Sequence, residues 1–122
     1  MNLFEIDGPV VSLVLLQPNG TIEEHIVDMT PRYNIIETLI NGQLTINGQY
    51  IDEQVIIIKR RDETGLPWNK HVLPPPFHND RIRGPICLVR MDDDAVPKHF
   101  KQKEYETLRN KYFITRNNFY HV

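Results

Sequence analysis

Four consecutive β-branched residues, Val55-Ile56-Ile57-Ile58, constrain this chain more than any other stretch. The run is too short for a helix, and stiff β-branched side chains suit a pleated surface, so it reads as a strand buried on both faces and the spine of a sheet. It gives way abruptly to Lys59-Arg60-Arg61 and then to Gly65-Leu66-Pro67-Trp68-Asn69-Lys70, which puts the only tryptophan in a proline-punctuated loop. A site on this sheet is expected beside that loop.

The other elements can be read in chain order. Val10 to Leu16 is nearly continuous apolar sequence, Gln17-Pro18-Asn19-Gly20 is a turn signal, and the return segment to Asp28 carries Ile22 and Ile26 around a polar middle, which predicts a hairpin. His25 falls on this return strand as a surface or cross-strand residue. Thr30-Pro31 signals a helix start, the hydroxyl accepting from an early backbone N–H. Ile35, Ile36, Leu39 and Ile40 share one helical face that would cover the hairpin, and Gly42 is expected to close the helix in the left-handed conformation. Leu44 to Ile51 reads either as two extended pieces joined by a turn at Asn47-Gly48 or as one irregular extended segment. Ile86 to Val89 supplies a further strand, Asp92-Asp93-Asp94 an acidic turn expected to cap a second helix, and Tyr105, Leu108 and Tyr112 a narrow apolar stripe on that helix.

These signals predict a single α+β domain over residues 1–112, with a mixed or antiparallel sheet of about five strands near 10–16, 22–28, 44–51, 54–60 and 85–90 and two helices near 31–41 and 101–112. A β-grasp order is the fold alternative. Residues 113–122 are expected to be a C-terminal tail, read as a terminal strand, a partner-binding peptide or a loosely held end. A chain of 122 residues suits one domain with its own core, and 40% hydrophobic with 25% charged residues fits a folded composition. The net charge of -2 gives no global pull towards nucleic acid or anionic lipid, so such binding would need a local patch. Cys87 is the sole cysteine and lies in an apolar run, which reads as a small buried hydrophobe in a reducing compartment. Neither a basic segment with an apolar leader nor a span of about 18 apolar residues is present, so the expectation is a cytoplasmic or otherwise intracellular protein without a membrane partner.

From Asp62 to Gly84 the chain holds Gly65, Pro67, the Pro74-Pro75-Pro76 triplet and Gly84, a composition for an ordered loop without regular structure. Trp68 is expected to plug this loop against the sheet, with Asn69 bonding loop backbone. The competing binding reading leaves Trp68 exposed. Gly65-Leu66-Pro67-Trp68-Asn69-Lys70 and Gly84-Pro85-Ile86-Cys87-Leu88-Val89, set in this order of elements, resemble a family of small uncharacterised domains of phages and bacteria, with relatives among viruses and their hosts. That family carries Gly-Leu-Pro-Leu-Asn-Arg after the central strand and a Gly-x-x-x-Ile-Val strand beyond it. Trp68 and Lys70 stand where it has Leu and Arg. The resemblance spans about Val10 to Leu108 and implies the fold, without an activity.

The binding candidates are Lys59, Arg60, Arg61, Lys70, Arg81 and Arg83 as a basic patch at the strand end, Trp68 and Phe77 as stacking surfaces, and Asn69 and His71 in the loop between. His71 and His78 are the available acid–base groups. The triple aspartate with His71, His78 and His99 supplies metal-ligand types but no motif spacing, and Ser12, the only serine, lies inside a strand. No catalytic or metal-ligating set is therefore assigned, and no cofactor is expected. The leading expectation is a non-catalytic protein-binding or assembly domain, viral in kind, with an unidentified protein partner. Nucleic-acid binding through the basic patch is the second reading, and a small hydrolase or metal-dependent enzyme the third.

Overall fold

The computed structural model describes the backbone of residues 7–120 and the side chains of 7–111. Strands β1 (Val10–Leu16), β2 (Ile22–Asp28), β3 (Leu44–Tyr50), β4 (Val55–Arg60), β5 (Ile86–Met91) and the two-residue β6 (Pro97–Lys98) form one sheet, with α1 (Ile35–Ile40) after β2 and α2 (Gln102–Tyr120) at the end. The order is β2-β1-β5-β4-β3. Every pairing is antiparallel, so of the two sheet types expected the antiparallel one forms. The β-grasp alternative, whose central pair is parallel, is not what is built. β6 pairs with Arg90 and Met91, beyond the stretch of β5 that β1 occupies.

The Val55–Ile58 run is interior, as its composition requires, but the middle of the order belongs to β5, with β4 beside it. Alternation along the interior strands sorts their side chains onto two faces. Val14, Leu16, Val55, Ile57, Ile86 and Leu88 face one core, closed by Phe100 and Tyr105 at the start of α2 and by Leu73 and Ile82 from the 62–84 loop. Val11, Leu13, Leu15, Ile58, Cys87 and Val89 face the other, closed by Ile36 and Ile40 of α1 and Val27 of β2. Both sides of β1, β4 and β5 are thus dry, which is why these strands read as continuous apolar runs.

Several local expectations are corrected. Thr30 does not cap a helix: its hydroxyl donates to Asp28 Oδ1 and accepts from the Gly8 N–H at 2.9 Å, pinning the chain ahead of β1. The next residues, Pro31–Tyr33, form a 3₁₀ turn, and α1 begins only after Asn34 at φ 47°. Asn41, at φ 58°, closes α1 in the left-handed region rather than Gly42, because asparagine tolerates that conformation. Gly42 is needed for space instead, since an added Cβ would collide with the Arg60 guanidinium. Leu44 to Tyr50 is one strand with its register shifted between Ile46 and Gly48, so the Asn47-Gly48 signal marks an irregularity and not a turn. Asp92 caps its own hairpin, accepting from the Asp94 and Val96 N–H groups at 2.9 Å each, while Glu24 and Glu104 accept from the first N–H groups around α2. The α2 backbone is helical through Tyr120, so residues 113–120 are not a strand; the side chain of Tyr112 lies outside the described residues. Among the described residues no helix is long and apolar enough to cross a membrane.

Candidate surface site on the 62–84 loop

The connection from β4 to β5 is ordered by its own polar groups. Asp62 accepts from the Thr64 N–H at 2.9 Å, a bond that holds its carboxyl below the usual range, and Leu66 N–H donates to Glu63 O at 3.1 Å. The chain then pairs with itself: Asn69 N–H donates to Ile82 O and Gly84 N–H to Pro67 O, both at 2.8 Å, with Trp68 opposite Arg83 in an antiparallel bridge. Gly84 makes this possible, at φ 82° and with Leu66 Cδ1 only 2.7 Å from where a Cβ would stand.

Asn69 is the latch. Its amide Nδ2 donates to Leu16 O at 3.0 Å and Gly84 O at 2.9 Å, and its Oδ1 accepts from His71 N–H at 2.9 Å. One side chain thus ties the loop to the end of β1 and the approach to β5. Lys70 N–H adds a bond to Pro18 O at 3.0 Å. Beyond it Leu73 and Ile82 enter the core, Tyr50 Oη donates to Pro74 O at 2.7 Å, and Phe77 packs edge-on to Tyr50 with ring centroids 5.2 Å apart.

The plug of this loop is therefore Leu73 and Ile82 with Phe77 beside them, and not Trp68. Trp68 is 48% exposed, with the guanidinium carbons of Arg83 and Arg81 at 4.2 and 4.9 Å from its ring centroid. The sequence named Trp68, Arg81 and Arg83 as binding candidates and an exposed Trp68 as the competing reading, but nothing in it placed the two arginines on the indole, a contact made by the Trp68–Arg83 bridge. Pro67, Trp68 and Lys70 also line an open groove of about 540 Å³ with Gln17, Pro18 and Asn19, which the sequence marked only as a turn, and Glu23 of β2.

The basic candidates of the β4 end have other partners, and among the described residues only Lys59 of these is ion-paired. Lys59 pairs with Glu63 at 3.2 Å, Arg60 donates to Asn41 O at 2.7 Å, and Arg61 makes a long contact of 3.4 Å with Gln43 Oε1. Arg81 and Arg83 make no ion pair among the described residues; Glu63 accepts the Arg83 backbone N–H at 3.4 Å and pairs with Lys59.

The chemical groups are quiet. Burial pushes the Cys87 thiol up to about 12, leaving it inert. His71 donates through Nε2 to Thr21 O at 3.2 Å, and partial burial, opposed by that bond and aided by Arg109, lowers its pKa below the ordinary value. Among the described residues no group of three or more His, Cys, Asp or Glu side chains is placed to hold a metal ion. The model of a family of unknown function, DUF5880, matches residues 14–108. The chain belongs to that family. The match runs from β1 into α2, so it takes in the whole 62–84 loop with the Trp68 cluster and the Asn69 latch. No curated protein and no solved structure matches this DUF5880 chain.

Proposed function

We propose that this DUF5880 domain is a small non-catalytic binding or assembly module of viral kind, whose partner is a protein engaged at Trp68, Arg81 and Arg83. The observation that carries the reading is a half-exposed tryptophan held by two arginines that have no carboxylate partner among the described residues. Folding alone gives little reason for that arrangement, because an exposed cation–π contact contributes only about 0.5–1 kcal/mol. Tryptophan and arginine are also the residue types that dominate binding energy at protein interfaces. Nucleic-acid binding is the second reading, favoured by the same stack, because an exposed indole beside unpaired guanidiniums also suits a base and its phosphate. The engagement of Lys59 and Arg60 weakens it.

Affinity capture from the native host, with nuclease treatment and mass spectrometry, separates the readings when wild type and Trp68→Ala are compared. The expected outcome is a nuclease-resistant protein partner lost from Trp68→Ala, while that variant loses clearly less stability than the roughly 3–5 kcal/mol of a fully buried aromatic. Red-shifted, readily quenched emission from Trp68 should accompany this in the free protein. Equal capture by the variant would sink the reading.

A further inference from the structure

We infer that the partner segment taken by this surface is an acidic, extended peptide, its carboxylates gripped by Arg81 and Arg83 and an adjoining apolar side chain seated in the groove of Pro18, Pro67 and Trp68. The inference rests on the protein-binding reading and adds the partner's chemistry. A guanidinium carries its N–H donors as a planar fork, and a carboxylate binds those donors two at a time. Arg81 and Arg83 lie over the Trp68 ring and make no ion pair among the described residues, so their donors are unspent on carboxylates there. The two guanidinium carbons lie 4.9 and 4.2 Å from the same ring centroid, so their charges converge on one side-chain surface and can meet acids close together in a ligand.

The surroundings favour carboxylates over a polyphosphate chain. The groove itself carries one acid, Glu23, against one base, Lys70, and the chain as a whole carries -2, so the surface offers no continuous basic track for a run of phosphates beyond the two arginines. A peptide can place one or two acids at the arginines and neutral residues elsewhere. The groove's volume of about 540 Å³, walled partly by two prolines and the indole, has room for an apolar side chain next to those acids.

Trp68 is the only tryptophan, so its emission reports on the surface directly. The full chain is titrated with a short glutamate-rich peptide bearing one leucine, with the same peptide carrying glutamine for glutamate, and with oligothymidylate of matched length. The expected result is a saturable emission change with the glutamate peptide alone. Salt should weaken it, and Arg81→Gln/Arg83→Gln should weaken it on the order of tenfold or more, while Arg61→Gln leaves it unchanged. Melting of the double variant checks that it folds; if it does not, Arg81→Lys/Arg83→Lys keeps the charge, removes the planar fork and should still lose affinity. Equal binding of the glutamine peptide, binding of oligothymidylate in preference to the glutamate peptide, or no response to either overturns the inference. Native-partner capture that is abolished by Trp68→Ala but untouched by Arg81→Gln/Arg83→Gln overturns the acidic chemistry and leaves the protein-binding reading standing. Capture untouched by both sets of changes overturns the two together.

Discussion

On one face of the sheet, a six-residue helix closes the core with Ile36 and Ile40; on the other, a loop of more than twenty residues does the same work with Leu73 and Ile82 alongside α2. At six residues α1 cannot pair all of its backbone internally, but local bonds tie its ends, Thr38 N–H to Asn34 O and Gly42 N–H to Glu37 O, so no side chain from elsewhere is needed to hold it on its face. The loop brings unpaired amides and carbonyls, and its cover holds only because side chains answer them: Asn69 at three points and Tyr50 at Pro74. The comparison teaches that the loop-covered face is the one that can carry a site. Its irregular backbone turns Leu73 inward and leaves Trp68, Arg81 and Arg83 outside, within a single connection.

The largest effect should come from Ile57→Asp, which puts an unpaired carboxylate at a fully buried position shared by β4 and the loop-covered core. A cost on the order of 5 kcal/mol equals much of a small domain's stability, so loss of the cooperative circular-dichroism melt is expected. A parental melt would show that this face tolerates water and that the loop is no cover. Next, Ile40→Ala on the helix-covered face should cost about 3 kcal/mol through the cavity it leaves, read from denaturant midpoints at unchanged slope.

Asn69→Ala sharpens the contrast, since it removes no apolar contact of consequence yet strips partners from Leu16 O, Gly84 O and His71 N–H. About 2 kcal/mol should be lost, with amide exchange accelerating in the 62–84 loop and not in α1. Uniform acceleration would mean that the two covers are one cooperative unit. The smallest effect is a pH dependence confined to the loop-covered face. The folded pKa of His71 lies below its ordinary 6.5, chiefly through burial, so between the two values the unfolded chain binds more protons and stability rises with pH. Stability from this group should be complete above about pH 6.5 and decline as pH falls towards the lowered folded value, and His71→Asn should flatten that part of the profile.

Local sequence determined the strands and their burial on both faces. β1, β4 and β5 were legible because β-branched and apolar residues fill consecutive positions, and only a strand with two dry faces uses such a run. Asn69 was legible as a backbone-bonding residue because an amide among prolines has few other uses, although its partners on β1 were not. Tertiary structure decided the rest. The place of β5 at the centre depends on which strands meet after a long connection, and the continuity of Leu44 to Tyr50 depends on pairing with β4 overriding a local turn signal. The fate of Trp68 was decided in the same way. Leu73, Phe77, Ile82 and Trp68 are all apolar residues of one loop, and nothing in their order says which can reach the sheet. The Asn69 latch and the Pro67–Gly84 pairing fix the path of the backbone, and that path, not hydrophobicity, sends leucine and isoleucine into the core and leaves the indole outside with its two arginines.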